Sequence, residues 1–308
     1  MLCEFAIEPA VLSTWDNFRY FIDRLGVEHG RLIAQFPKSW KRLVYEALTE
    51  FRGTTRMAVV EERLRRLDPA TTKSRRPYDG SREWLVNAEA QQTGNSPFDA
   101  IIARSNPRKD AAVLVAADVS DETPRWAVPR ERKVARRALD LAAAASSLIS
   151  CSREILLIDP HFNPWEPRWR EAFAAMCEAL KTTRQPPTRT ELHVSAWRPD
   201  GQPKWDVDEF CRECTRRLAA SVPTGLRIRI IIWKQKAGGE RIHGRYVLTE
   251  RGGIRFEGGL DPGTDGETTD VSLLTHRLYD ERWKDYNETS TTFELQREHY
   301  VAGTGTTA

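Results

Sequence analysis

No stretch of about 18 consecutive apolar residues occurs in this 308-residue chain, so no transmembrane span is expected. The opening MLCEFAIEPAVL carries an acid where a secretory leader has its basic region, and no signal peptide is expected either. Cysteine is scarce: five residues, an odd number, scattered along the chain. That argues against a disulfide framework and for reduced thiols in a cytoplasm. An excess of one charge is lacking too, since 47 basic residues face 44 acidic ones for a net +3. Global charge therefore gives no reason to assign a polyanionic partner. No G-x-S-x-G, no H-E-x-x-H and no glycine-rich loop ending in Lys-Ser/Thr is present, which removes the serine-hydrolase, zinc-protease and P-loop readings. Internal repeats and low-complexity segments are absent as well.

What is present suits two modest domains: 40% hydrophobic residues for packed interiors and 30% charged residues for a solvated surface. Residues 1–128 read as a mainly α, basic domain of unknown type. Trp15, Phe18, Phe21, Ile22 and Leu25 fall at three- and four-residue spacings behind the cap candidates Ser13 and Thr14. Arg31 to Phe51 repeats that pattern around Pro37, and Met57 to Leu67 forms a third helix. Residues 68–82 are polar and broken by Pro and Gly, the signature of a loop. Two short strands are expected, over Phe98 to Ala103 and Ala111 to Ala116.

From Pro129 the pattern becomes regular. A long Ala/Leu-rich helix over Arg130 to Ser150 precedes the apolar run EILLID (Glu154 to Asp159), a strand buried on both faces. A helix (Trp165 to Lys181), a strand (Glu191 to Trp197), a helix (Val207 to Ala220) and a strand (Leu226 to Trp233) follow. Arg245 to Leu248 and Gly253 to Phe256 are the last strand candidates. This alternation predicts an α/β domain over 129–300, with a largely parallel or mixed sheet flanked by helices, and a flexible tail at 301–308.

After the third of these strands the chain reads Arg241-Ile242-His243-Gly244-Arg245, then Glu250, then Gly258-Gly259-Leu260-Asp261. Here it resembles the phospholipase D superfamily, whose pattern is H-x-K-x4-D followed by a G-S-x-N segment. Arg245 stands where that family has lysine, and Glu250 where it has aspartate. The C-terminal domain of eukaryotic MIT-domain proteins is similar too, with an I-H-D-R…G…G-R-G-L-D pattern. The resemblance covers residues 130–275. It implies a phospholipase-D-like fold with one motif per chain, a tendency to dimerise and, from the MIT-type relatives, membrane binding without catalysis.

The motif also has a chemical reading of its own. Phosphodiester cleavage through a phosphohistidine needs a neutral imidazole, a cation on the non-bridging oxygens and an acid for the leaving group. Strand alternation would put His243 and Arg245 on one sheet face, where a guanidinium fork holds a phosphate. Glu250 would orient the imidazole or pair with Arg245, and the resemblance implies that Gly258, Gly259 and Asp261 complete a phosphate-binding set. The reaction uses two imidazoles. His161 after the first core strand is one source of the second; a symmetric homodimer pairing two copies of His243 is the preferred one.

Other candidates are weaker. Cys211-x-x-Cys214 lies in an amphipathic helix without a second ligand pair and reads as packing, so no metal is expected. Asp265, Glu267 and Asp270, with Asp261, read as a solvated loop. Residues 31–82 hold 13 basic residues against 6 acidic ones. Within them Trp40 beside Lys38, Lys41 and Arg42 is a candidate nucleic-acid contact combining stacking with phosphate binding.

Ala-, Arg- and Trp-rich usage suggests a GC-rich bacterial genome. Prokaryotic members of the resembling families look like parts of multi-gene defence or mobile-element systems, which points to nucleic acid as target and to partner proteins. Three expectations result: a dimeric nuclease or phosphodiesterase, an inactive phosphate-reading module, and a membrane or protein adaptor. No cofactor is implied by any of them.

Overall fold

The computed structural model describes residues 1–198, 200–287 and 289–304. It divides into two compact units, Met1–Arg130 and Glu131–Ala308, and each is α/β.

The first unit is built on a wholly parallel five-stranded sheet, which corrects the expectation of a mainly α domain. Its elements run β1 (Cys3–Ile7), α1 (Trp15–Ile22), β2 (Arg31–Gln35), α2 (Trp40–Ala47), α3 (Thr55–Arg66), β3 (Thr71–Lys73), α4 (Trp84–Ala90), β4 (Ala100–Ala103) and β5 (Val113–Val115). The sheet order is β3-β2-β1-β4-β5. Alternate residues of the strands feed two cores. Phe5, Ile7, Ile33 and Ile102 pack with side chains of α1, α2 and α3, while Ala6, Ala34 and Ile101 pack with Leu85 and Ala88 of α4. The misreading has a physical cause. Leu32, Ile33, Phe36 and Trp40 satisfy helical spacing, yet Leu32 and Ile33 belong to a strand of only five residues, and so short an apolar run is ambiguous between the two periods. The loop expected at 68–82 likewise contains β3.

The second unit holds an eight-stranded mixed sheet ordered β13-β9-β8-β7-β10-β11-β12-β6. Its strands are β6 (Glu131–Ala135), β7 (Glu154–Ile158), β8 (Arg189–Ser195), β9 (Arg227–Lys234), β10 (Tyr246–Thr249), β11 (Gly252–Phe256), β12 (Thr268–Leu273) and β13 (Glu294–Ala302). Its helices are α5 (Ala138–Ser150), α6 (Pro167–Leu180), α7 (Val207–Leu218) and α8 (His276–Tyr286). β7, β8 and β9 are parallel; β10 returns antiparallel on the other side of β7. On one face Leu156, Ile158, Tyr246 and Leu248 pack with Leu278, Tyr279, Trp283 and Tyr286 of α8. The strands expected around EILLID, LRIRIIIW and the motif are all present. The helix expected from Arg130 begins eight residues later, because Glu131–Ala135 pairs with β12 as an edge strand. Strands β12 and β13 and helix α8 had no sequence expectation. The tail expected at 301–308 starts inside β13, where Val301 is buried and Ala302 pairs with Arg227; residues 305–308 lie outside the described residues.

Candidate functional site

The topology brings scattered residues to one edge of the second unit's sheet. Strand β7 ends at Ile158, which pairs with Tyr246 at the start of the antiparallel β10. Arg245 therefore sits beside Asp159 and the turn that carries His161. Strand β11 runs back to the same edge and delivers Gly258 to Asp261, and β6 ends there with Arg136, since Ala135 pairs with Thr268. The chain leaves β7 for β8 and β9 on one side and returns as β10 on the other. Such a switch point at strand carboxyl ends leaves a crevice outside the sheet. A cavity of ≈ 380 Å³ occupies it, lined by four cations, Arg136, Arg168, Lys204 and Arg245, against two carboxylates, Glu166 and Asp261. His161, Gly258, Trp169 and Trp205 complete much of the wall.

The cations are not equivalent. Arg136 and Arg168 are neutralised by Asp261, at 3.3 and 3.1 Å, and Arg136 also pairs with Glu267. Arg245 makes one long contact, Nη1 to the Glu257 carbonyl at 3.4 Å, and its buried Nε has no acceptor among the described residues. Lys204 donates Nζ to the Pro160 and Ser195 carbonyls at 3.0 and 3.1 Å, leaving its third hydrogen unused. Neither Arg245 nor Lys204 has a carboxylate within ion-pair distance among the described residues. Burial holds the Lys204 ammonium below its ordinary pKa, with Asp159 opposing.

Asp159 organises this edge from beneath. Its carboxylate accepts the His161 and Leu260 amides, both at 3.0 Å, tying the β7 turn to the Gly258–Asp261 loop. Burial pushes its pKa up to about 6 against those two hydrogen bonds and the Arg245 charge. His161 is exposed by surface area, yet crowding of the ring, followed by the charges of Arg245, Lys204, Arg241 and His243, lowers its pKa to about 4. At neutral pH it is a neutral imidazole. Burial also raises the Asp261 carboxyl against the pull of Arg136 and Arg168.

The motif residues are dispersed by this geometry. Arg245 lines the cavity. His243 precedes the strand rather than sharing its alternation, is exposed, and places Nδ1 3.1 Å from the Arg241 carbonyl. Strand β10 starts only at Tyr246, whose ring folds over Gly244; a Cβ on residue 244 would collide with that ring. Glu250 is at the opposite end of β10, about 16 Å along the strand from Arg245. It accepts the Arg153 and Glu154 amides at 3.0 Å and so caps the start of β7. It neither orients an imidazole nor pairs with Arg245, because a strand carries residues five apart to opposite edges of the sheet. Gly258 lines the pocket, but its amide is engaged by Thr269 Oγ1 at 2.8 Å. Gly259, at φ +108, makes the turn in a region that favours glycine. Asp261 is buried and holds arginines, so it tunes the cations and is not itself a phosphate ligand. Its burial also departs from the expected solvated loop.

In the first unit the candidate nucleic-acid contact separates. Trp40 is fully buried and donates Nε1 to the Ile7 carbonyl at 2.6 Å, so it is core and offers no stacking face. Lys41 bonds the Leu64 carbonyl and pairs with Asp68. Only Lys38 and Arg42 remain exposed, and Arg42 pairs with Glu46 at 3.4 Å.

Sequence reading missed Lys204, Arg168, Arg136 and Asp159 as site residues. Arg136 and Asp159 directly follow strands β6 and β7, Lys204 lies in the connection from β8 to α7, and Arg168 lies in the first turn of α6, positions that are recognisable only once the strands are known. Cys211 and Cys214 are buried on α7, and among the described residues no group of three His, Cys, Asp or Glu side chains is arranged to hold a metal ion. No helix among them is long and apolar enough to cross a membrane.

No family model matches the chain, and no curated protein matches it. Among solved structures, the archaeal chromatin protein TrmBL2, described as showing a novel mode of DNA binding, aligns over 56% of this chain and 56% of its own. Its identity is 12% and its TM-score 0.27, a likeness too low to support an argument about fold or function.

Proposed function

We propose that the second unit is a phospholipase-D-like phosphate-binding domain whose pocket takes a phosphodiester, with nucleic acid as its source. The observation that carries this reading is the pair Arg245 and Lys204, cations without a carboxylate partner among the described residues, in a walled cavity at a topological switch point. Two uncompensated donors in a partly desolvated site favour an external anion, and a guanidinium fork matches two phosphate oxygens. Membership of a multi-gene defence or mobile-element system is part of this reading on the family resemblance alone.

Titration of the full chain with a single-stranded oligonucleotide tests it. Arg245→Ala should weaken binding at least about tenfold, the usual effect of losing charged hydrogen bonds, and Arg245→Lys should restore part of it. Affinity should fall steeply with salt as neutralised phosphates release counterions. Unchanged affinity in Arg245→Ala, with the fold intact by circular dichroism, would overturn the reading.

A hydrolytic form of the reading has one supporting observation: His161, held neutral at pH 7, lines the pocket with Arg245. In that form His161 is the nucleophile and His243, near enough for its charge to bear on His161, is the second imidazole. Both then come from one chain, and no symmetric dimer is required. Cleavage of a diester lost in His161→Ala and insensitive to chelation supports it; an activity that survives in that variant removes it.

A further inference from the structure

Phosphate binding leaves the aromatic wall of the pocket without a role. Trp169 and Trp205 line the cavity beside the cations. Trp205 stacks on Phe210, with centroids 5.3 Å apart and planes at 21°, and meets Trp165 at 5.6 Å. Lys204 Nζ lies 5.5 Å from the Trp205 ring centroid, and the Arg168 guanidinium 5.6 Å from that of Trp169. Three other indoles are anchored through their N–H, Trp40 to the Ile7 carbonyl, Trp84 to the Phe36 carbonyl and Trp233 to His193 Nδ1, whereas the buried Trp126 Nε1 has no partner among the described residues. Among the described residues, neither Trp169 nor Trp205 donates its N–H to a protein acceptor. Trp205 is also half-buried rather than buried.

A half-exposed indole, braced by a second ring and adjoining uncompensated cations, combines a stacking surface with a phosphate contact. A lipid headgroup has no planar π face to place there. A duplex keeps its base faces inside the stack and exposes them only when a nucleotide is extruded. The cavity falls in the size range of small-molecule sites, about 300–1,000 Å³. We propose that this pocket is a nucleotide subsite in which an unpaired base stacks on Trp205 while its phosphate is held by Arg245 and Lys204. The ligand class is single-stranded nucleic acid. This rests on the phosphate-binding reading and narrows it.

The test measures anisotropy of fluorescein-labelled oligothymidylate binding to the full chain. An abasic strand of the same length, the matching duplex and phosphatidylserine vesicles serve as comparisons. The expected result is that oligothymidylate binds about fivefold or more tighter than the abasic strand and the duplex. Trp205→Ala should bring the ratio of oligothymidylate to abasic affinity close to one, and Trp205→Phe should recover most of it. Arg245→Ala should weaken both strands. Equal affinity of wild type for base-bearing and abasic strands overturns the base subsite and leaves the phosphate reading standing. Failure of both strands to bind overturns both, as does binding to vesicles alone. If Trp205→Ala does not fold, Trp205→Leu keeps apolar bulk without the π face, and the abasic comparison needs no variant.

Discussion

Residues 31–82 hold 13 basic residues to 6 acidic ones, whereas the pocket of the second unit draws its four cations from four separate stretches of chain. The first set looks basic and is largely engaged. Arg31 donates to the Trp126 carbonyl, Lys41 pairs with Asp68, Arg63 with Asp23, Arg65 and Arg66 with Glu62, and Arg76 with the buried Glu4. Three of those partners, Trp126, Asp23 and Glu4, lie outside residues 31–82. The second set has no signature in any sequence window, yet two of its members have no carboxylate of their own among the described residues. A local charge surplus thus measures composition, while a binding field depends on which cations the fold leaves unmatched.

Four variants sharpen or break that contrast, beginning with the largest effect. Trp40→Ala should destabilise the first unit by about 3–5 kcal/mol, the range for emptying a buried aromatic site, and leave oligonucleotide affinity unchanged in urea-unfolding and titration experiments. Retained stability with lost binding would return Trp40 to the ligand surface.

Asp159→Asn addresses the pocket's buried support. Asp159 keeps its proton up to about pH 6 in the folded chain, whereas an unfolded aspartate loses it near about 3.9. Its contribution to stability is therefore full below about pH 4 and lost as pH rises through about 6. The stability of wild type relative to Asp159→Asn should fall by about 2–3 kcal/mol across that window. His161 runs the other way, since its folded pKa of about 4 lies below its unfolded value, so the variant should gain stability as pH rises over the same range. A wild-type-to-variant difference that stays level with pH, read from urea midpoints, would show that Asp159 is not buried with a raised pKa.

Glu250→Gln should cost about 1 kcal/mol by weakening the cap on the Arg153 and Glu154 amides and should spare binding; a loss of binding at unchanged stability would put Glu250 back in the site. Charge reversal at Lys38 and Arg42 together should produce the smallest effect, under about twofold in affinity with an unaltered salt slope. A large drop there would mean that residues 31–82 are the nucleic-acid surface after all.

Periodicity alone located α1, α3, α6 and α7 and the strands β7 to β11, because long amphipathic helices and doubly buried strands have distinct apolar spacing. It misassigned β2, whose five residues fit a helix as well, and did not anticipate β12 or β13, because β12 buries only alternate residues and β13 buries only Val301. In the motif, the order H-x-R and the glycines were legible, and of these residues Arg245 and Gly258 line the cavity. The expected roles of Glu250 and of the strand-borne His243 were not supported, because linear spacing does not say where a strand begins or which edge of a sheet its end reaches.

What the sequence by itself determined is the α/β character of the second unit, the buried strand EILLID and the apolar stripes that cover it, since these depend on solvent exclusion along contiguous residues. Which cations remain unpaired was decided only by the tertiary structure. Arg136, His161, Lys204 and Arg245 meet because the return of β10 against β7 gathers the ends of four strands at one edge, and electrostatic fields depend on distance in space, with no regard for separation along the chain.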